Sequence, residues 1–156
     1  MRRRDFMKKI LIPIDGSPLS VKVGESAVEL GKLIGAELVF ITVINMPSEE
    51  KYAYFGMAVE NQFSANRKEM LNKLMQQESK MLNIIVRNLN TGDLKVTKKI
   101  LVGRSAAEIL KFAEDENVDY IFMGRRGFSP VQRFFVGSVT QKVISAAPCP
   151  VIVING

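Results

Sequence analysis

Apolar and polar residues follow two different patterns along this chain. Five short stretches are apolar with little or no interruption, which is typical of strands covered on both faces, as in parallel sheets. The third stretch alternates more than the others because Lys98 and Lys99 interrupt it. The predicted strands span residues 9–14, 37–44, 94–102, 119–123 and 151–154.

Between these strands, apolar residues recur every three or four positions, which predicts amphipathic helices. The first helix is expected to have Ser17 as its N-cap and Pro18 as its first residue, and to end at Gly35. The later helices are predicted over residues 60–89, from residue 105 and from residue 138.

Strands that alternate with helices imply right-handed crossovers and a mostly parallel sheet with helices on both faces. We therefore predict a single doubly wound, Rossmann-like α/β domain with five parallel strands in the order 3-2-1-4-5. Ligands bind to such sheets beyond the carboxyl ends of the strands, where the strand order reverses. We expect Asp15 and Gly124, which end strands one and four, to face each other there.

The connector after the second strand, residues 46–58, breaks both patterns. It contains Pro47, a short run of charged residues and then Tyr52, Tyr54 and Phe55. Two interpretations stay open: a loop whose rings pack on the surface, or a flap that covers a ligand.

Net charge is concentrated at the start of the chain. The 156 residues include 22 lysines and arginines against 16 aspartates and glutamates, a formal charge of +6. Five of these basic residues and a single aspartate fall within residues 1–9. We divide the chain into a basic tail, residues 1–8, and a folded domain, residues 9–156. Because the folded part has little net charge, nucleic acid is not an expected partner.

Composition excludes several kinds of chemistry. The chain has no histidine, which rules out histidine general bases and histidine metal sites. A single cysteine, Cys149, cannot form a disulfide within one chain. No apolar run approaches the roughly 18 residues of a membrane span, so we expect a cytoplasmic protein that does not enter a membrane.

A glycine-rich loop follows the fourth strand, with the pattern G-x2-G-x9-G-S at Gly124, Gly127, Gly137 and Ser138. Glycine permits positive φ and close approach of the backbone to a ligand. The last helix begins where the pattern ends, and its unpaired N–H groups and positive dipole end favour an anion such as phosphate. The alternative is ordinary turn chemistry, in which Ser138 only caps the helix.

Polar side chains near this loop have two possible roles. Arg125 and Arg126 either pair with phosphate oxygens or are solvated loop charges. The hydroxyls of Ser138 and Thr140 can add hydrogen-bond donors.

Asp15 also has two interpretations. Its carboxylate either meets ribose hydroxyls or a phosphate-bound metal, or it forms an Asx-turn with the next residues. The loop is not a Walker A motif, because no Gly-Lys-Ser/Thr sequence follows Gly127 or Gly137.

These residues together resemble the universal stress proteins, in particular the subgroup that binds ATP. The resemblance is carried by KILIPIDGS at residues 9–17, by the glycine pattern after Met123, and by residues 138–153. It covers nearly the whole chain from Lys8. One departure is Arg125, at a position where the family often holds a small polar residue.

The resemblance implies a role for each matching position. Asp15 and the backbone of Val43 would hold the adenosine, Pro13 and Met123 would line the nucleoside pocket, and Gly124 would lie near the ribose. The phosphates would be surrounded by Gly127, Gly137, Ser138, Val139 and Thr140. The candidate nucleotide-binding residues are Pro13, Ile14, Asp15, Val43, Met123, Gly124, Arg125, Gly127, Gly137, Ser138, Val139 and Thr140.

In function, the resemblance implies an ATP-binding regulatory protein of the stress response, with Mg²⁺ accompanying the nucleotide. The alternative is a slow ATP hydrolase or an autophosphorylating protein. Since no catalytic base is recognisable, we favour a nucleotide-binding module over an efficient enzyme. The resemblance also implies a homodimer in which the apolar strand Val151–Ile154 pairs with its copy.

Overall fold

Strands and helices alternate along the residues described by the computed structural model, which are 7–45, 61–128 and 135–156. For residues 61–65 only the backbone is described. Most of the basic tail and the connector 46–58 lie outside the described residues. The elements are β1 (Lys9–Pro13), α1 (Leu19–Ile34), β2 (Glu37–Ile44), α2 (Asn61–Asn88), β3 (Val96–Val102), α3 (Ser105–Asp115), β4 (Tyr120–Gly124), α4 (Ser138–Ala146) and β5 (Val151–Ile154).

The strands form one parallel sheet in the order β3-β2-β1-β4-β5, so the predicted fold class and strand order are confirmed. β1 is central: its Ile12 pairs with Phe40 of β2, and its Leu11 pairs with Ile121 of β4. The chain leaves β1 towards β2 and returns on the other side as β4. A crevice therefore opens beyond the carboxyl ends of β1 and β4.

Alternate residues of the central strand pack on opposite faces of the sheet. Ile10 and Ile12 are fully buried against α1 and α2, while Leu11 packs with Ile109 of α3 and Val143 of α4. Burial of each such side chain contributes roughly 1.5–3 kcal/mol. Helices on both faces thus explain why the strand sequences are continuously apolar.

Strand ends differ from the predicted ones by one or two residues. β3 begins at Val96 rather than Leu94, because the Leu94 N–H donates to the Thr91 carbonyl at 3.2 Å inside the preceding turn. β1 ends one residue earlier than predicted, at Pro13, and β4 is shifted by one residue to Tyr120–Gly124.

Within the described ranges, no helix is both long enough and apolar enough to cross a membrane.

Candidate functional site

The carboxyl ends of β1, β2 and β4 border a cavity of about 530 Å³ at the point where the strand order reverses. The first residues of α1, α3 and α4 also line it. Among the twelve candidate residues from the sequence, Arg125 does not line the cavity. The others do: Pro13, Ile14, Asp15, Val43, Met123, Gly124, Gly127, Gly137, Ser138, Val139 and Thr140.

Asp15 lies in the turn between β1 and α1, and its two carboxylate oxygens differ in surroundings. Oδ1 accepts hydrogen bonds from the Ser17 N–H at 2.9 Å and from the Ser20 hydroxyl at 3.1 Å. The Asx-turn is therefore present. Ser17 makes no side-chain cap on α1, contrary to expectation, because Asp15 organises the turn instead. Oδ2 accepts no hydrogen bond from the described residues and lies beside Gly127.

Gly124 and Gly127 lie where the space for a side chain is limited. Neither has positive φ, so of the two properties that glycine offers only the close approach is used here. A Cβ on Gly124 would lie 2.8 Å from Leu19 Cδ2, and a Cβ on Gly127 would collide with Asp15 Oδ2. Side chains at these positions would push into α1 or into the Asp15 carboxylate. The glycines therefore let the loop after β4 approach the turn after β1.

The N-terminus of α4 presents backbone N–H groups to the cavity. The Gln141 N–H donates to the Gly137 carbonyl at 2.9 Å, and the N–H groups of residues 138–140 have no acceptor among the described residues. Thr140 is buried, and its hydroxyl donates to the Gly124 carbonyl at 2.8 Å. That hydroxyl therefore ties α4 to the end of β4, so only the backbone N–H of Thr140 is left for a ligand.

The backbone of Val43 faces the crevice because β2 extends past the end of β1. The Ile14 N–H donates to the Ile41 carbonyl at 2.7 Å, so Ile41, and with it Val43, turns its polar groups towards β1. The pairing of β1 with β2 ends at Pro13 and Ile41. The N–H and C=O of Val43 thus point where β1 has already ended, and neither has a backbone partner on that side among the described residues.

The two loop arginines differ in position. Arg126 lines the cavity, whereas Arg125 is fixed by backbone hydrogen bonds to Ile154 and Gly137. The Arg125 N–H donates to the Ile154 carbonyl at 2.9 Å, and its carbonyl accepts from the Gly137 N–H at 2.7 Å. Its Nε is buried and has no hydrogen-bond partner in the part of the chain described.

The family model of the universal stress protein family matches residues 7–155 of this chain. The chain belongs to the universal stress protein family.

Relatives agree over nearly the full chain. Universal stress protein MJ0531 of Methanocaldococcus jannaschii is 31% identical over 152 residues, which cover 97% of this chain and 84% of that protein. The solved structure of MJ0577, from the same organism, matches with a TM-score of 0.77 and 32% identity over 96% of each chain. A universal stress protein from Archaeoglobus fulgidus in complex with dAMP has a TM-score of 0.55 and 24% identity, covering 96% of this chain and 98% of that one.

In this universal stress protein, sequence reasoning missed the contribution of α2 to the cavity. The Thr42 hydroxyl donates to Glu78 Oε2 at 3.0 Å, and both residues line the cavity. A hydroxyl inside an otherwise apolar strand was a usable signal for Thr42. Glu78 had none, because it is one of many polar residues on a long helix. Other cavity residues that the sequence did not assign to the site include Ser17, Leu19, Ser20, Ser105, Phe128 and Phe135.

Metal binding by protein ligands alone finds no support among the described residues, where no group of three or more His, Cys, Asp or Glu side chains could hold an ion. Asp15 Oδ2 is nevertheless a carboxylate oxygen that lines the cavity without a described donor. Mg²⁺ is usually held by one or two carboxylates together with substrate phosphates. The donor set therefore fits a Mg²⁺ ion that arrives with a phosphorylated ligand.

Proposed function

We propose that this universal stress protein is an ATP-binding regulator of the stress response that holds the nucleotide in the cavity between β1 and β4. The N-terminus of α4 carries the proposal, because the N–H groups of residues 138–140 lack acceptors among the described residues at the cavity wall. Such a terminus stabilises an anion by about 0.3–1 kcal/mol per charge when exposed, rising to about 2 kcal/mol when partly buried.

The cavity offers a partner for each part of ATP. The Val43 backbone presents one donor and one acceptor side by side, which matches N1 and the 6-amino group of adenine. Asp15 Oδ2 is available to ribose hydroxyls, as acidic residues are in dinucleotide sites. Of Arg125 and Arg126, Arg126 lines the cavity, and we assign it to the phosphates. The apolar walls come from Pro13, Ile14, Met123 and Val139.

Mg²⁺ is part of the proposal as a companion of the triphosphate. The phosphate oxygens would hold it, and its charge would neutralise part of the charge of the phosphates. The expected consequence is tighter binding of ATP with Mg²⁺ than without it.

ATP acts as a signal in this proposal rather than as a substrate that is turned over quickly. A bound nucleotide would join the turn after β1, the end of β2 and the start of α4, which are separate segments of the cavity wall. The chain has no histidine to serve as a base, and its glycine loop lacks the lysine of P-loop enzymes.

The proposal includes a homodimer formed through β5. β5 is an edge strand without charged residues, whereas the other edge strand, β3, carries the exposed Lys98 and Lys99. Lysines on an edge strand oppose pairing with another sheet. A second copy that pairs with β5 would cover the uncharged edge. The proposed location is the cytoplasm, on the sequence grounds given above.

Isothermal titration of the full chain with ATP, with and without Mg²⁺, tests the proposal. We expect saturable heat and an increase in thermal unfolding temperature that grows with ATP concentration. Neither heat nor a thermal shift at millimolar ATP would contradict it. The dAMP complex of the Archaeoglobus fulgidus protein agrees with the choice of an adenine nucleotide, but at 24% identity it supports only the shared fold.

A further inference from the structure

Glu78 brings a carboxylate from α2 to the cavity, and the nucleotide assignments above do not use it. Its Oε2 accepts the 3.0 Å hydrogen bond from the Thr42 hydroxyl, and Thr42 is only 3% exposed. Its Oε1 accepts no hydrogen bond from the described residues. A hydroxyl buried in β2 therefore orients the carboxylate and leaves one oxygen available to a ligand.

The position of this carboxylate identifies the part of a ligand that it meets. Thr42 directly precedes Val43, whose backbone faces the crevice, so Glu78 belongs to the β2 end of the cavity. The N-terminus of α4 is fastened to Gly124 at the end of β4. β2 and β4 are separated by β1, and two strand spacings amount to about 10 Å.

The two ends of the cavity therefore carry opposite electrostatic character. The β4 end has the positive terminus of α4, and the basic residue Arg126 also lines the cavity. The β2 end has the Glu78 carboxylate, which repels phosphate and accepts hydrogen bonds from neutral donors. This polarity would direct the phosphates of a nucleotide towards β4 and its base towards Glu78.

We propose that Glu78 is a base-selecting residue whose Oε1 accepts a hydrogen bond from the 6-amino group of adenine. This rests on the proposed nucleotide function. The amino group has two hydrogens, one for the Val43 carbonyl and one for Glu78. A purine with oxygen at position 6 has no amino hydrogens there. Its oxygen would face the Val43 carbonyl and Glu78 Oε1, and both would be left without a donor.

The probe for this contact is purine riboside 5′-triphosphate, which keeps N1 as an acceptor and has hydrogen in place of the amino group. Isothermal titration with each nucleotide gives the ratio of the two dissociation constants. For the wild-type chain we expect ATP to bind about tenfold or more tightly than the probe, because a hydrogen bond to a charged group is stronger than one between neutral groups.

Variants of Glu78 and of Thr42, which anchors it, show how much Glu78 contributes to the ratio of dissociation constants. Glu78→Ala should reduce the ratio to about threefold, the contribution of a single neutral hydrogen bond, and Glu78→Gln should give an intermediate ratio. Thr42→Val, which removes the anchor but keeps the side-chain shape, should also lower it. Glu69→Ala is the matched control, since Glu69 lies on the same helix, pairs with Lys73 at 2.9 Å and does not line the cavity. Its ratio should equal that of the wild type, and thermal unfolding checks the fold of each variant.

The outcomes separate this inference from the function on which it rests. If the wild type binds ATP but Glu78→Ala and Glu78→Gln both keep the wild-type ratio of dissociation constants, the base-selecting role is overturned and nucleotide binding stands. Tighter binding of GTP than of ATP would also overturn it. If neither triphosphate gives heat with the wild-type chain, the proposed function falls and the inference falls with it.

Discussion

The carboxylate of Asp15 occupies the space into which a side chain on Gly127 would project. A Cβ on Gly127 would collide with Asp15 Oδ2, although the two residues are far apart in the chain. The turn after β1 and the loop after β4 are therefore in close contact at the crevice. This contact places Asp15 Oδ2, which accepts no hydrogen bond from the described residues, next to the glycine-rich loop.

Gly127→Ala should weaken ATP binding by about tenfold or more, because the new methyl group displaces the Asp15 carboxylate. Gly137→Ala provides the comparison. Gly137 has φ −59°, and its Cβ would find its nearest atom, Arg126 Cα, at 3.4 Å. We expect a clearly smaller loss there, measured by isothermal titration of both variants. Equal losses would contradict the collision as the cause.

Asp15→Asn and Asp15→Ala should separate the structural from the ligand-binding oxygen of this residue. Asparagine keeps an acceptor for the Ser17 N–H and the Ser20 hydroxyl, while alanine removes it. Asp15→Ala should lower the free energy of unfolding by about 1 kcal/mol more than Asp15→Asn, as for loss of a cap. Both should weaken ATP binding. Urea denaturation and titration measure the two effects, and wild-type affinity in Asp15→Asn would show that Oδ2 does not contact the nucleotide.

Thr140→Val should destabilise the fold, because it leaves the Gly124 carbonyl without its partly buried 2.8 Å hydrogen bond. The expected loss in the free energy of unfolding is about 1–3 kcal/mol. Thr140→Ser keeps the hydroxyl and should therefore keep most of the wild-type free energy of unfolding. Chemical denaturation of the three proteins gives the comparison, and equal stability of the valine and serine variants would argue that the bond is not needed to hold α4.

An ion-paired cluster at the amino ends of the strands should make stability depend on pH. Burial acts to raise the pKa of Asp119. Its carboxylate accepts hydrogen bonds from the Lys8 ammonium at 2.7 Å and from the Lys9 N–H at 2.9 Å. These bonds and the charges of both lysines together outweigh burial, so the pKa lies below its ordinary value. The pKa of Glu116 is lowered by the hydrogen bond and the charge of the Lys9 ammonium.

Because these pKa values are lower in the folded chain than in the unfolded chain, the stabilisation is complete above the unfolded values and is lost as pH falls through the folded ones. The free energy of unfolding should therefore decline below about pH 4. In Asp119→Asn this decline should be shallower than in the wild type. The exposed Asp93 supplies a control, Asp93→Asn, which should follow the wild type. Urea denaturation between pH 7 and pH 3 measures the slopes, and identical slopes for Asp119→Asn and the wild type would disprove the assignment.

Val153→Pro should abolish the proposed dimer without breaking the sheet of one chain. The Arg125 N–H donates to the Ile154 carbonyl and the Ile121 N–H to the Pro150 carbonyl, so even-numbered residues of this segment face β4. The Val153 N–H then points to the open edge, where proline removes a donor that strand pairing needs. Native mass spectrometry should report a dimer for the wild type and for Val153→Thr, and a monomer for Val153→Pro. A dimeric proline variant would exclude pairing through β5.

The sequence predicted the fold well because its information is local and repeated. Continuous apolar runs such as Ile10–Ile12 and Leu38–Ile41 are buried on both faces of the sheet, as the pattern indicated. The ends of elements were less accurate. The Leu94 N–H, for example, bonds within a turn rather than within the strand, and apolar periodicity does not distinguish these two partners.

By itself, the sequence determined the α/β class, the strand order and the place of the crevice, because alternating strands and helices with right-handed crossovers leave few ways to bury apolar strands. Only the tertiary structure decided that Gly127 must leave room for Asp15, that Arg126 rather than Arg125 lines the cavity, and that Glu78 joins it. These features depend on contacts between segments distant in the chain. Local spacing carries no information about which side chains such segments bring together.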